Sequence, residues 1–134
     1  MNYIADAGAL IALMNQEDQH HDWAVATLPR LPRPWLVCEA VLAEAAAMTG
    51  QPLALAREVA AGELELAFDL ERQLAPVVKL LERYADREMD LADACVVRMS
   101  ELYPRHTVIT VDRRDFTVYR RNQREVLPFI APEV

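Results

Sequence analysis

The sequence predicts an α/β fold in which helices cover both faces of a mostly parallel β-sheet. Short apolar runs typical of buried strands alternate along the chain with longer segments of helical periodicity, which is the order of βαβ units. The chain has 134 residues, of which 53% are hydrophobic. It can therefore bury a core of ordinary size, and we expect a single domain spanning residues 1–134.

The first half of the chain begins with a strand, which an apolar run predicts at about Asn2–Ala5. A short helix follows, and a second short helix is expected near His21–Leu28, before a proline-rich loop. Trp35–Val37 is predicted to be a short second strand. Cys38–Thr49 is expected to form the next helix, with Gly50 at the position where helices commonly end.

The second half of the chain continues this alternation of helices and strands. Pro128 interrupts the last apolar run, which favours an edge strand because proline has no N–H to donate to a neighbour. The predicted elements are a helix at Leu53–Ala61, a half-exposed strand at Glu63–Phe68, helices at Leu70–Tyr84 and Asp90–Tyr103, a strand at Thr107–Val111 and a last strand at Val126–Ile130.

The composition excludes several classes of protein. With only 3 glycines and neither G-x-G-x-x-G nor G-x-x-x-x-G-K-[ST], the chain lacks a glycine-rich phosphate loop. No apolar run approaches the ~18–20 residues of a membrane helix, and no secretory signal is visible, so we expect a cytoplasmic protein without a membrane partner. Cys38 and Cys95 form no C-x-x-C motif and lie in apolar surroundings, which predicts buried free thiols.

Four carboxylates stand where an α/β chain can bring them to one crevice. Asp6 and Asp112 each end a predicted strand, whereas Glu44 and Asp93 lie in predicted helices. Because ligands of open parallel sheets bind outside the carboxyl ends of the strands, the four acids can meet there. Carboxylates packed together repel one another and favour a bound cation, and an all-oxygen ligand set suits Mg²⁺ or Mn²⁺.

Asp6 and Glu44 each also have a purely structural interpretation. Asp6 could cap the helix that follows its strand, a role that does not exclude metal binding. Glu44 is the only acid in the segment Ala40–Met48, which is apolar on nearly every face and is therefore expected to be buried. A carboxylate there needs a partner, and an arginine from elsewhere in the chain is the alternative to a metal ion.

The other two acids have local alternatives as well. Asp93 follows Asp90 by three residues, so it fits the third helical position of a capping box. Either Asp112 or Asp115 could cap the turn after the strand. We assign Asp112 as the inner metal ligand, because it is closer to the strand end, and Asp115 as an accessory ligand.

Positive charge is concentrated near the C-terminus, although the net charge of the chain is −7. Residues 105–124 contain six arginines and only two acids. Arginine binds phosphate through two parallel hydrogen bonds, so this segment has two interpretations, an ordinary solvated face or a rim that contacts phosphates beside the acids. The arginines in question are Arg113, Arg114, Arg120, Arg121 and Arg124.

Four strings of the sequence resemble the PIN domain family, and in particular the VapC-type toxins and their orphan relatives. Each string carries one of the four acids, the strings follow the order of the family, and the resemblance spans nearly all 134 residues. Many members have a hydroxyl residue after the first acid, where this chain has Ala7. The strings are Ile4–Leu13 (IADAGALIAL), Val41–Ala45 (VLAEA), Met89–Ala94 (MDLADA) and Thr110–Phe116 (TVDRRDF).

The resemblance implies a three-layer α/β/α sandwich with a central, mostly parallel sheet. It also implies a ribonuclease that hydrolyses RNA phosphodiester bonds with Mg²⁺ or Mn²⁺. Arg113 and Arg114 are our candidates for contacts to the RNA backbone, which position a substrate without reading its sequence. The residues that match the family's metal ligands are Asp6, Glu44, Asp93 and Asp112.

The resemblance further implies a toxin that pairs with an antitoxin protein and forms a homodimer. A non-catalytic PIN-like module that binds RNA or protein is the alternative, but such a module does not need all four acids. A metal-dependent phosphatase with an aspartyl nucleophile usually has D-x-D after the first strand, where this chain has Asp6-Ala7-Gly8.

Overall fold

The computed structural model describes residues 2–133, in which strands alternate with helices as predicted. The two end residues of the predicted domain, Met1 and Val134, lie outside the described residues. The strands are β1 (Asn2–Ala5), β2 (Trp35–Val37), β3 (Leu64–Leu66), β4 (His106–Ile109), β5 (Arg120–Arg121), β6 (Glu125–Val126) and β7 (Phe129–Ile130). The α-helices are α1 (Ala7–Met14), α2 (His21–Thr27), α3 (Glu39–Thr49), α4 (Pro52–Ala60), α5 (Leu74–Arg83), α6 (Leu91–Leu102) and α7 (Arg113–Val118).

Five of these strands form one parallel sheet in the order β3-β2-β1-β4-β7. Helices pack on both of its faces, which confirms the three-layer α/β/α fold. All three residues of β2 are buried, as expected for a central strand that is covered on both sides. Ala5 of β1 lies in register with Ile109 of β4, so these two strands end side by side. The residues that follow them are therefore neighbours.

Local sequence features fix several helix boundaries. Gly50 ends α3 with a φ of 66°, a left-handed conformation that glycine adopts without a steric penalty. Asp90 precedes α6 and accepts a hydrogen bond from its first turn. The helix predicted at Leu70–Tyr84 is shorter than expected, because a 3₁₀ turn at Glu71–Gln73 precedes α5.

The prediction of one strand at Val126–Ile130 is wrong. Val126 belongs to β6, which pairs antiparallel with β5 in a hairpin outside the central sheet. Only Phe129–Ile130 joins the central sheet, as the edge strand β7 beside β4. Pro128 separates the two, and its carbonyl accepts a hydrogen bond of 2.9 Å from the N–H of Val108. Pro128 therefore takes part in the sheet through its carbonyl oxygen, and the N–H that proline lacks is not required there.

The arginines near the C-terminus are neither one solvated face nor one phosphate-binding rim. Arg121 is 8% exposed, and its Nη1 donates to the carbonyls of Ser100 and Pro104, each at 3.1 Å. Its Nε donates to Glu125 at 2.9 Å. Arg121 thus attaches the hairpin to the end of α6. The members of the predicted set that lie on the exposed surface are Arg114 and Arg124.

We predict that Arg121→Ala lowers the free energy of unfolding by about 2–4 kcal/mol, because it removes a buried charged donor from two carbonyls that then lack partners. Urea unfolding followed by circular dichroism measures the change. Arg124→Ala removes an exposed arginine from the same hairpin and serves as the matched control, with an expected change within about 0.5 kcal/mol. Equal losses in the two variants would contradict the structural role of Arg121.

Candidate functional site

Asp6 stands directly after β1 and is 7% exposed. Its backbone N–H donates to the carbonyl of Ile109 at 2.9 Å, which extends the pairing of β1 with β4. Its side chain accepts hydrogen bonds of 2.9 Å from the N–H of Ala7 and from the hydroxyl of Thr110. Burial, reinforced by the negative charge of Asp93, raises the pKa of Asp6 to about 7. Asp6 therefore caps α1, as one of the two interpretations expects, and also holds a buried carboxyl group at the sheet edge.

Asp93 lies in the first turn of α6, where the predicted capping box is present. The N–H of Asp93 donates to Asp90 at 2.7 Å, and Asp93 Oδ2 accepts from the N–H of Asp90 at 3.4 Å. The same oxygen accepts a hydrogen bond of 3.1 Å from the hydroxyl of Tyr119. Burial and the charge of Asp90 raise the pKa of Asp93 to about 6. Among residues 2–133, both hydrogen bonds that the Asp93 side chain accepts therefore go to the same carboxylate oxygen.

Asp112 begins α7, a helix that the local sequence pattern does not predict. Its side chain accepts a hydrogen bond of 3.0 Å from the N–H of Asp115, so Asp112 is the N-cap of this helix. The N–H of Asp112 donates to the hydroxyl of Thr110 at 3.0 Å. Because the same hydroxyl donates to Asp6, Thr110 links the segments that follow β1 and β4. Burial raises the pKa of Asp112.

Asp115, the predicted accessory ligand, forms an ion pair with Arg87. The two side chains meet at 2.8 Å, and both are about one-third exposed, with values of 34% for Arg87 and 28% for Asp115. The charge of Arg87 opposes the rise in the pKa of Asp112. No local pattern marks Arg87 or Tyr119 as part of this site, because each reaches its carboxylate only through the folded chain.

Glu44 corrects the expectation of a wholly buried helix. Only Val41 and Ala45 of α3 are buried, and Glu44 lies on the exposed side. The helix is apolar there because it carries alanines, not because that side faces a core. Partial burial and the charge of Asp90 nevertheless raise the pKa of Glu44, and the charge of Glu44 in turn raises that of Asp6. No arginine pairs with Glu44 among residues 2–133.

The four predicted acids thus share one electrostatic environment. Asp93 and Glu44 both raise the pKa of Asp6, and Asp112 raises the pKa of Asp93. None of the four forms a salt bridge with any described residue. Within residues 2–133, no three of these side chains lie close enough together to hold a metal ion as they stand. Each carboxylate that caps a helix is held by hydrogen bonds to nearby backbone, and the negative charges repel one another. Both effects keep the carboxylates apart.

The donor set itself fits a hard divalent cation. It consists only of carboxylate oxygens, which such cations prefer, and none of the four carboxylates forms a salt bridge with a described residue. Burial, followed by the charge of a neighbouring acid, raises the pKa values of Asp6 and Asp93.

Comparison with known proteins bears on the family of the chain. The model of the PIN domain matches residues 3–122, a range that contains all four acids. The chain belongs to the PIN domain family. One similar protein is ribonuclease VapC26 of Mycobacterium tuberculosis (strain ATCC 25618 / H37Rv), which is 28% identical over 123 residues, covering 87% of this chain and 91% of the relative. No helix within residues 2–133 of this PIN domain has the length and apolar character needed to span a membrane.

A cavity of about 360 Å³ adjoins Asp112 in this PIN domain. Arg113 lines it, but its Nε and Nη2 donate to the carbonyls of Pro132 and Ala131 at 3.0 and 2.8 Å. Its donors therefore attach the C-terminal segment to the start of α7. Arg114 lines the same cavity and is exposed. Of the two arginines predicted to contact RNA, Arg114 has the freer guanidinium.

We predict that Asp6→Asn stabilises this PIN domain in the absence of metal, and that the gain grows between pH 4 and 7. The pKa of Asp6 is about 7 in the folded state, against 3.8 for an ordinary aspartate, so the folded state binds more protons over this range. The wild type therefore loses stability as the pH rises, by an amount on the order of 4 kcal/mol, whereas asparagine has no proton to lose.

Urea unfolding in EDTA at pH 4, 6 and 8 checks this prediction. Glu82→Gln removes one exposed carboxylate from α5 and provides the control, with little change expected at any pH. If the free energy of unfolding falls equally in wild type and in Asp6→Asn over this pH range, Asp6 does not carry a buried carboxylate with a raised pKa.

Proposed function

We propose that this PIN domain is a metal-dependent endoribonuclease that hydrolyses RNA phosphodiester bonds. The proposal is supported by Asp6 and Asp112, which follow the adjacent ends of β1 and β4, and by Asp93 and Glu44, whose charges raise the pKa of Asp6, in a chain of this family. The ribonuclease named among its relatives, VapC26, supports RNA as the substrate class. Acids concentrated at the carboxyl ends of parallel strands lie where ligands of such folds bind.

The proposed metal ligands are Asp6, Glu44, Asp93 and Asp112, with Mg²⁺ or Mn²⁺ as the cation. A cation held there would polarise a water molecule and offset negative charge on the phosphate. Asp115, an accessory ligand in the assignment from sequence, pairs with Arg87 at 2.8 Å through Oδ1. Its pairing with Arg87 instead supports a role in placing a positive charge beside Asp112.

Hydroxyl groups of the chain orient two of these carboxylates. Thr110 donates to Asp6 at 2.9 Å, and Tyr119 donates to Asp93 at 3.1 Å. With pKa values of about 7 and about 6, Asp6 and Asp93 exchange protons near neutral pH. A cation competes with those protons, so we expect its affinity to fall as the pH drops below 6.

Hydrolysis by water determines the products. Water adds to the phosphorus and the 3′ oxygen leaves, which yields a 5′-phosphate and a 3′-hydroxyl. Attack by the neighbouring 2′-hydroxyl would instead give a cyclic phosphate. Exposed Arg114 is the proposed contact to the RNA backbone beside Asp112, whereas Arg113 acts indirectly by fixing the start of α7.

The resemblance to VapC-type toxins extends the proposal to a cytoplasmic toxin with an antitoxin partner. We also propose that the domain forms a homodimer. Exposed apolar side chains are available for either contact, since Met48 is 66% and Leu53 is 61% exposed where α3 is followed by α4.

We predict that the wild type cleaves RNA with Mn²⁺ or Mg²⁺ but not with EDTA, and that Asp93→Asn lowers the rate by at least about 100-fold because a ligand charge is lost. A panel of single-stranded and structured RNAs, with end-group analysis of the products, measures both. Glu82→Gln, which removes an exposed acid from α5, should cleave like the wild type.

Two results would count against this mechanism. Products that end in a cyclic phosphate would exclude hydrolysis by water, and cleavage in EDTA would exclude a required cation. RNA binding without any cleavage would favour a non-catalytic binding module.

We predict that Arg114→Ala weakens RNA binding several-fold and reduces the slope of log affinity against log salt concentration by about one, because one phosphate contact is lost. Fluorescence anisotropy with a labelled RNA measures the affinity. Both arginine variants are made in the Asp93→Asn background, so that cleavage does not disturb the binding measurement. Arg30→Ala removes an exposed arginine from the segment before β2 and should leave the slope unchanged. The same slope in both variants would remove Arg114 from the RNA interface.

A further inference from the structure

The two cysteines lie together although 57 positions separate them in the sequence (95 − 38 = 57). Cys38 follows β2 and directly precedes α3, and Cys95 lies in α6, which packs against α3. Both thiols are free, and each residue is 1% exposed. The side chain of Cys95 interacts with that of Cys38 and lowers its pKa. Two thiols that interact across packed elements are candidates for a covalent bond.

A cavity of about 590 Å³ reaches this pair of thiols. Its wall includes both cysteines, the apolar side chains of Leu66 and Phe68, and Asp69 at its polar side. Most of its lining comes from the residues at or after the ends of β2 and β3, and none of the four acids lines it. A small polar oxidant can therefore approach the sulfur atoms without passing through the acid site.

The two thiols differ in a way that suits sequential chemistry. The side chain of Cys95 lowers the pKa of Cys38, and the backbone N–H groups of Val41 and Ala40 at the start of α3 act in the same direction, although none forms a regular cap hydrogen bond. Cys38 is therefore the better nucleophile, and Cys95 is placed to react second.

We infer that Cys38 and Cys95 are a redox-active pair that closes to an intrachain disulfide when hydrogen peroxide enters the cavity. The Cys38 thiolate attacks one peroxide oxygen, which breaks the O–O bond, releases hydroxide and leaves a sulfenic acid. The Cys95 sulfur then attacks the Cys38 sulfur, the S–S bond forms, and the sulfenic hydroxyl leaves as water with the Cys95 proton. The hydroxide takes up the proton first lost by Cys38, so two thiols and one peroxide give one disulfide and two waters.

The disulfide would also act on the acid site. α3 carries Glu44 and α6 carries Asp93, so a covalent link between these helices alters the relative positions of two proposed metal ligands. Oxidation should therefore change the affinity for the cation. This coupling rests on the proposed function, but the thiol chemistry does not.

The chain contains only 2 cysteines, so a thiol count in the wild type reports this pair alone. After treatment with hydrogen peroxide, titration of thiols in denaturant should find none, and the intact mass should fall by two hydrogens. The product should stay monomeric on a non-reducing gel, and dithiothreitol should restore both thiols. Disulfide-linked dimers, stable sulfinic or sulfonic acids, or thiols that react only after unfolding would overturn the inference.

Single variants test the order of the steps. Cys95→Ala should stop at the sulfenic acid, which dimedone traps, whereas Cys38→Ala should react at least about tenfold more slowly than Cys95→Ala. Thermal melting checks that both variants fold. Equal rates in the two variants would overturn the assignment of Cys38 as the nucleophile.

Calorimetric titration with Mn²⁺ tests the coupling. Oxidised wild type should differ from reduced wild type by at least about threefold in affinity, which is about 0.65 kcal/mol. Peroxide-treated Cys38→Ala controls for oxidation of the 5 methionines and should match its untreated form. Equal affinities in oxidised and reduced wild type would overturn the coupling. Absence of Mn²⁺ binding by the reduced protein would overturn the metal centre and the coupling, whereas the mass measurement decides the disulfide independently.

Discussion

Asp6 and Thr110 are 104 positions apart in the sequence, and the parallel pairing of β1 with β4 brings them within 2.9 Å. The backbone N–H of Asp6 continues that pairing by donating to Ile109 at 2.9 Å. Once the two strands are in register, the position of Asp6 is fixed at the sheet edge, and the hydroxyl of Thr110 connects it to the N-cap of α7. The rest of the acid site is arranged around this junction.

The buried acids lower the free energy of unfolding when no cation is bound. Burial raises the pKa of Asp6 to about 7 and that of Asp93 to about 6, so each carboxylate costs free energy when it ionises without a cation. Hydrogen bonds from Thr110 and Tyr119 offset part of that cost. Such an arrangement is expected where a cluster of acids is retained for binding and not for stability.

The arginines near the C-terminus have different roles, although they are residues of the same type. Arg121 is buried and stabilises the hairpin, Arg113 attaches the C-terminal segment, and Arg114 remains exposed beside Asp112. A run of arginines in the sequence is compatible with all three outcomes. Only the path of the chain, through α7 and the hairpin, assigns one outcome to each residue.

The sequence by itself determined the features that depend on neighbouring residues. These include the alternation of strands and helices, the capping box of Asp90 with Asp93, and the left-handed end of α3 at Gly50. Interactions over three or four residues decide these features, so a local pattern is sufficient to predict them. The order of the four acids along the chain was also sufficient to indicate the family, because that order is a property of sequence alone.

The tertiary structure decided the partners of those residues and their exposure. The ion pair of Arg87 with Asp115 spans 28 positions, and the hydrogen bond of Tyr119 with Asp93 spans 26. Glu44 lies on an exposed side of α3, which its alanine-rich surroundings conceal in the sequence. Such features depend on which surfaces the fold brings together. No periodic pattern contains that information, because side chains distant in sequence meet only after the sheet has paired and the helices have packed on it.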